Sequence, residues 1–393
     1  ALYNLFAIKR EVFIMAKIKQ NIIILLLLSA FGSNAQQLVL GADRIDKILK
    51  TINNKKIAVV ANQTSRVNDV HLVDTLLSLQ QKIISVFSPE HGFRGIEDAG
   101  AKIDNEVDLK TGLPIISLYG KNKKPTSDQL KEIDIVVFDI QDVGARFYTY
   151  ISTLHYVLEA CGEDKIKVVV LDRPNPNGHY VDGPILEKEF MSFVGMHQIP
   201  IVHGMTIGEY AKMIVGEKWI KFDCNLEIIE MNNYNRNDFY DLQIKPSPNL
   251  PNSKSINLYP SLCLFEGTNV SVGRGTNQPF QHFGSPFLKF YSYTFQPKSG
   301  PGSKFPKHEN STCFGKNLNN YPYLNYINLS WLIEAYNQTN NKEDFFNSFF
   351  DKLAGTEKLR TQITSGLSDQ KIKESWEPGL KEFKKTRAKY LIY

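Results

Sequence analysis

Five short runs of nearly continuous apolar, mostly β-branched residues occupy the first half of the chain, and they constrain its fold more than any other feature. Residues 56–61 read Lys-Ile-Ala-Val-Val-Ala; the others are 83–87, 114–118, 133–140 and 166–171. A strand with one wet face alternates apolar and polar residues. An unbroken run implies a strand covered on both faces, as in a parallel sheet. Helical patterns fall between the runs. Residues 69–79 carry Val70, Val73, Leu76 and Leu77 at helical spacing, and 149–161 carry Ile151, Leu154, Val157, Leu158 and Cys161 on one face before Gly162. Thr126-Ser127-Asp128-Gln129 is a capping box that opens another helix. Alternation of this kind predicts an α/β fold: a Rossmann-like, doubly wound parallel sheet.

Ligands of such sheets sit beyond the carboxyl ends of the strands, and here those ends are crowded with polar groups. The first run leads into Asn62-Gln63-Thr64 and the second into Ser88-Pro89-Glu90-His91-Gly92-Phe93-Arg94. The fourth leads into Asp139-Ile140-Gln141-Asp142-Val143-Gly144-Ala145-Arg146-Phe147-Tyr148, and the fifth into Asp172-Arg173-Pro174-Asn175. Glu90, between a proline and a glycine, reads as a carboxyl group presented by a tight loop. With His91 beside it, it suits general acid or base work. Asp139 and Asp142 are further candidate acids, though an Asp at a strand end is commonly a hydrogen-bonding residue. Arg146 offers a planar fork for a carboxylate, and Tyr148 a ring for a sugar face. For Asp172 and Arg173, a local ion pair that shapes the loop competes with a binding role. His203 precedes the capping box Thr206-Ile207-Gly208-Glu209, and a lone His there is more often structural.

Three prolines between Lys245 and Pro251 break regular structure and set an expected boundary near 248. The expected parts are an N-terminal domain over 36–248 and a smaller α+β domain over 249–393. The latter contains the glycine-rich segment Glu266-Gly267-Thr268-Asn269-Val270-Ser271-Val272-Gly273-Arg274-Gly275-Thr276 and helical stretches at 331–336 and 342–354. In that segment, Glu266, Asn269 and Arg274 are candidate binding residues. It lacks phosphate-loop spacing, and no Gly-x-Gly-x-x-Gly follows the first strand, so no nucleotide fingerprint is present. His-Glu-x-x-His and Gly-x-Ser-x-Gly motifs are absent too, as is any metal-ligand spacing; neither a metal nor a cofactor is expected.

Net charge is +5 without a basic block, which argues against a nucleic-acid partner and suits an acidic glycan equally well. Met15-Ala16-Lys17-Ile18-Lys19, the apolar run 22–28 and Ser33-Asn34-Ala35 have the three-part shape of a secretory signal. Residues 15–35 are therefore expected to be cleaved and the protein exported, periplasmic or secreted, without stable membrane insertion. An exported protein can form disulfides, but a chain this long does not need them, and most of the four cysteines read as small buried apolar residues.

The segments 88–95, Asp98-Ala99-Gly100, 111–114, 117–120, 137–152, 170–176, 203–209, 246–251 and 266–276 together resemble the exo-β-N-acetylmuramidases of the NamZ type. The resemblance spans most of the chain beyond residue 35. It implies release of N-acetylmuramic acid from non-reducing ends of peptidoglycan fragments, in a cleft between a Rossmann-like domain and a smaller one. It also implies Glu90 as the catalytic glutamate. Ser65 stands where the family pattern has Gly, and Val272 where it has an acidic residue. Glycoside hydrolysis usually needs a second carboxyl group, for which Asp139, Asp142 and Glu266 all qualify, or the substrate's own acetamido group. The lactyl carboxylate gives Arg146, Arg173 or Arg274 a partner. Two other readings use the same rim: a non-catalytic muropeptide-binding protein, and a hydrolase of the stem peptide.

Overall fold

The apolar runs become strands of one seven-stranded sheet. The computed structural model describes residues 37–90, 92–94 and 106–393; the expected signal segment and His91 lie outside the described residues. Residues 39–393 form one compact unit. Its strands, in chain order, are β1 (Lys56–Ala61), the small hairpin β2 (Arg66–Val67) and β3 (Val70–His71), β4 (Lys82–Ser88), β5 (Glu106–Val107), β6 (Pro114–Ser117), β7 (Ile135–Asp139), β8 (Lys167–Leu171) and β9 (Leu226–Ile229). The large sheet has the order β5-β6-β4-β1-β7-β8-β9. Every neighbouring pair in it is parallel except β5 with β6.

Two-residue periodicity explains the unbroken runs. Ile57, Val59 and Ala61 face one apolar layer with Val86, Val137 and Val169. Ala58 and Val60 face the other with Phe87, Phe138 and Val170. Both layers are roofed by helices. On one side lie α1 (Ile45–Ile52) and α2 (Leu72–Ser78), through Ile48, Ile52, Leu72 and Leu76. On the other, beyond the one-turn α3 (Ser127–Leu130), lie α4 (Tyr150–Glu163) and α5 (Ile207–Gly216). The capping boxes read at Thr126 and Thr206 form, each hydroxyl accepting from the backbone N–H three residues on.

The second core layer runs on into the C-terminal half, through Leu262, Phe265, Phe283, Trp331 and Phe350. There α6 (Ser253–Leu262) leads to a three-stranded antiparallel sheet of β10 (His282–Ser285), β11 (Tyr293–Phe295) and β12 (Cys313–Asn317). Helices α7 (Ser330–Gln338), α8 (Phe350–Ala354), α9 (Lys358–Thr364), α10 (Asp369–Glu374) and α11 (Glu377–Ala388) complete it. The helix expected over 342–354 begins only at Phe350. Its first half is a turn and a single antiparallel bridge of Phe346 to Thr268 instead: the N–H of Asn269 bonds to the Phe345 carbonyl and that of Asn347 to the Gly267 carbonyl. The tail returns to the first sheet, where the Tyr393 hydroxyl donates to Asp172 Oδ2 at 3.0 Å. All four cysteines are free and buried. No helix of the described residues is long and apolar enough to cross a membrane.

Candidate functional site

Glu90 leaves the sheet two residues beyond the end of β4. The Gly92 N–H bonds back to the Pro89 carbonyl at 3.2 Å, and Gly92 sits at φ +76°, a conformation that favours glycine. This turn swings Glu90 out of the strand into a cleft lined also by Tyr148, Thr149, Tyr150, Asn249, Tyr259 and Arg274. Counting the solvent at its mouth, the cleft encloses about 430 Å³. The Thr149 hydroxyl donates to Glu90 Oε2 at 3.3 Å. The Tyr119 hydroxyl also bonds to the Glu90 side chain; burial, then this carboxylate, pushes the Tyr119 phenol pKa upward. Glu90 is thus held by hydroxyls while remaining partly exposed.

The aromatic wall is packed edge to face. Tyr148 meets Tyr150 at 4.9 Å and Tyr259 at 5.9 Å between ring centroids. Hydroxyls fix the rings, with Tyr148 donating to the Pro246 carbonyl at 2.8 Å and Asn62 Nδ2 donating to the Tyr150 hydroxyl at 3.0 Å. Burial first, and the nearby Glu90 charge second, raise the Tyr150 pKa, so this hydroxyl stays protonated.

Arg274 supplies the positive charge. Its Nε and Nη2 donate to the two Glu266 oxygens at 2.5 and 3.0 Å, which leaves Nη1 uncommitted among the described residues. Burial opposes the Glu266 charge, but Arg274 prevails and holds the carboxyl below its usual range. Beneath this pair, Lys307 Nζ donates to the carbonyls of Phe265, Glu266, Thr268 and Val270, fixing the loop that carries Glu266 and Asn269. The Asn269 carbonyl meets a His308 ring nitrogen at 2.6 Å.

The fold gathers only some of the residues that the sequence offered. Glu90, Tyr148 and Arg274 share the cleft, with Asn62 behind Tyr150 and Glu266 behind Arg274. Arg146 is not there: it is fully buried, and its guanidinium donates to the carbonyls of Pro184, Ile199, Leu353 and Ala354 at 2.7–2.9 Å. It clamps α8 to the first domain and has no fork to offer a substrate. Asp139 is likewise corrected from acid to anchor. It is fully buried, and both its oxygens take Arg173, at 2.5 and 2.9 Å; burial pushes its pKa upward and the Arg173 fork opposes this.

Asp142 accepts from the Gly144 N–H at 2.6 Å and lies 3.8 Å from the His203 ring. His203 is itself buried and accepts from the Met205 N–H. Asp172 takes the Thr206 hydroxyl and the Gly208 N–H, capping α5. None of these lines the cleft. Gln141 and Arg173 line a second crevice, with Thr64, Arg66 and Tyr240, beyond the ends of β1, β7 and β8.

Thr149, Tyr150, Tyr119, Ser247, Asn249 and Tyr259 were not singled out in the sequence as site residues. Thr149 and Tyr150 directly follow Tyr148, and Tyr119 lies two residues beyond β6, so proximity to strand ends was the available signal for these; Asn249, in the proline-rich segment, carried none. Of the two family departures, Ser65 is buried, and its hydroxyl bonds to the Asp139 carbonyl, tying β1 to β7. Its backbone lies outside the left-handed region, so glycine is not required there. Val272 is buried and apolar, two residues before Arg274.

A doubly wound sheet presenting a carboxylate at a strand end, in a cleft walled by tyrosines and completed by an arginine of the C-terminal half, defines an α/β protein with a site for a polar small molecule. The chain belongs to the exo-β-N-acetylmuramidase NamZ family: the N-terminal family model matches residues 57–254 and the C-terminal one 257–393. It is 40% identical over 371 residues to the peptidoglycan β-N-acetylmuramidase NamZ of Bacillus subtilis (strain 168), covering 88% of each chain. Two crystal structures of DUF1343 family proteins from Bacteroides fragilis NCTC 9343 share the fold. One is 46% identical with a TM-score of 0.85, the other 27% with 0.78; each match covers 91% of this chain and 99% of the other.

Proposed function

We propose that this protein is an exo-acting glycoside hydrolase that releases N-acetylmuramic acid from the non-reducing ends of peptidoglycan fragments, in cell-wall turnover and recycling. The observation that carries the reading is the meeting of Glu90 and Arg274 in one cleft, in a chain 40% identical to a protein named as a peptidoglycan β-N-acetylmuramidase. Glu90 is the proton donor to the glycosidic oxygen. Protonating the glycosidic oxygen as its bond to the anomeric carbon breaks is how such a residue lowers the barrier. Arg274 takes the lactyl carboxylate that distinguishes a muramic acid from a glucosamine, through its remaining N–H donors. The tyrosine wall supplies apolar contact for the sugar ring.

Among the described residues lining the cleft, Glu90 is the only carboxylate. This supports attack on the anomeric carbon by the substrate's own acetamido oxygen, with Glu90 returning as the base that activates water. Residues 15–35 direct export, and the mature enzyme acts outside the cytoplasm. Paired chromogenic substrates test the activity. Release from the N-acetylmuramide and not from the matching N-acetylglucosaminide is expected; hydrolysis of both at similar rates, or of neither, would refute the assignment. Mass measurement of the exported protein is expected to give an N-terminus at Gln36.

A further inference from the structure

The glycine-rich segment has two faces, and the cleft accounts for only one. Arg274 lines the cleft; the next residues, Gly275 to Gln278, line a separate open shelf on the antiparallel sheet. The same wall is crossed a second time. Lys298 lines the shelf and its N–H bonds to the Gly275 carbonyl at 2.8 Å, while Gly302, four residues on, accepts from Asn249 Nδ2 in the cleft at 2.7 Å. The two hollows are therefore neighbours that share one rim.

The chemistry of the shelf is distinctive. Asn277, Gln278, Gln296 and Asn317 give it a set of uncharged amides, beside the rings of Tyr293 and Phe295. Phe295 is stacked on His282 at 4.0 Å between centroids, and the Tyr293 hydroxyl meets His282 Nδ1 at 2.8 Å, so both rings are held in place. Its open volume, about 830 Å³ with solvent, exceeds that of the cleft. Rigid rings with amides around them match a neutral sugar, whose C–H face packs on an aromatic and whose hydroxyls and acetamido group take amide hydrogen bonds. A stem peptide rich in carboxylates would call for cations, and among the described residues Lys298 is the only Lys or Arg that lines the shelf.

We infer that this shelf is a second glycan-binding site, which holds neutral N-acetylhexosamine units of the strand on the reducing side of the bond cut in the cleft. The inference rests on the hydrolase reading above and names where the rest of its substrate lies. It makes long strands better substrates than short glycosides, through binding and not through the chemical step.

The test is the double variant Asn277→Ala/Gln296→Ala. Both residues are exposed, so folding is not at issue. On peptide-free glycan strands, KM is expected to rise about tenfold with kcat unchanged, the loss of roughly two neutral hydrogen bonds. On a chromogenic N-acetylmuramide, which is too short to reach the shelf, kinetics are expected to stay within about twofold of wild type. Equal losses on both substrates, an unchanged KM on strands, or a loss confined to peptide-bearing fragments would each overturn the assignment. Binding of an N-acetylglucosamine tetrasaccharide, followed by calorimetry, separates the two readings. A wild type that hydrolyses neither substrate but binds the tetrasaccharide, with the double variant not binding it, removes the hydrolase and leaves the shelf. Failure of wild type to bind the tetrasaccharide removes the shelf alone.

Discussion

Replacing Arg146 by Met is expected to unfold the protein more easily without touching its chemistry. The fully buried guanidinium donates to four main-chain carbonyls, two from the loops after β8 and two at the C-terminal end of α8. Hydrogen bonds from a charged donor contribute about 1.5–3 kcal/mol each, or roughly 6–12 kcal/mol for four. Against this stands the cost of burying a cation. Desolvation pulls the Arg146 pKa from 12.5 down to about 9, a cost of about 5 kcal/mol. The balance leaves a net loss near 4 kcal/mol for the variant, a large share of a typical folding free energy. Methionine fills much of the volume, so the loss reports the polar contacts more than a cavity. Urea unfolding measures it, and KM for a chromogenic muramide on the folded variant should stay within about threefold of wild type. The reasoning is refuted if stability is unchanged while KM rises tenfold or more, since that pattern belongs to an arginine that holds the substrate carboxylate.

Other outcomes follow from the same geometry. Glu266→Gln removes the charge that orients Arg274, so KM for the muramide is expected to rise about three- to tenfold with little change in kcat, as steady-state kinetics would reveal. Burial raises the Asp172 carboxyl from 3.8 to about 7. Between those values the folded chain holds a proton that the unfolded chain has lost, so stability is fully present below about pH 4 and falls as pH rises towards 7, by about 1.4 kcal/mol per pH unit. Unfolding free energies at pH 5 and pH 7 are expected to differ by about 2 kcal/mol more in wild type than in Asp172→Asn, because the slope flattens as pH reaches the folded value; equal differences would refute this.

The large sheet was legible because its central strands are buried on both faces, which writes an uninterrupted apolar run into 56–61 and 133–140. Edge strands were not. β9 is short, carries Glu227 and is only half-buried. The C-terminal sheet was hidden by its own glycines: Gly284 and Gly315 pair across β10 and β12, and a Cβ on Gly315 would lie 1.7 Å from the Phe283 carbonyl oxygen. Glycine weakens the strand signal where close approach demands it. At the site, the strand-end rule led to Glu90. It could not separate Arg146 from Arg274, because a guanidinium serves carbonyls or carboxylates equally well and only the tertiary fold decides which surround it. The capping boxes were readable because their partners are three residues apart; Tyr119, 29 residues from Glu90 in the chain, carries no such local mark.

The central claim is that the Glu90 carboxyl group does the proton transfer while its neighbours bind the sugar. The most direct measurement is kcat of Glu90→Gln on a chromogenic N-acetylmuramide, alongside its affinity for free N-acetylmuramic acid. Removing a general acid is expected to lower kcat by about 10²–10⁴ and leave affinity for the sugar within a few-fold of wild type. A kcat near the wild-type value, or a loss of sugar binding that accounts for the whole drop in activity, would contradict the account.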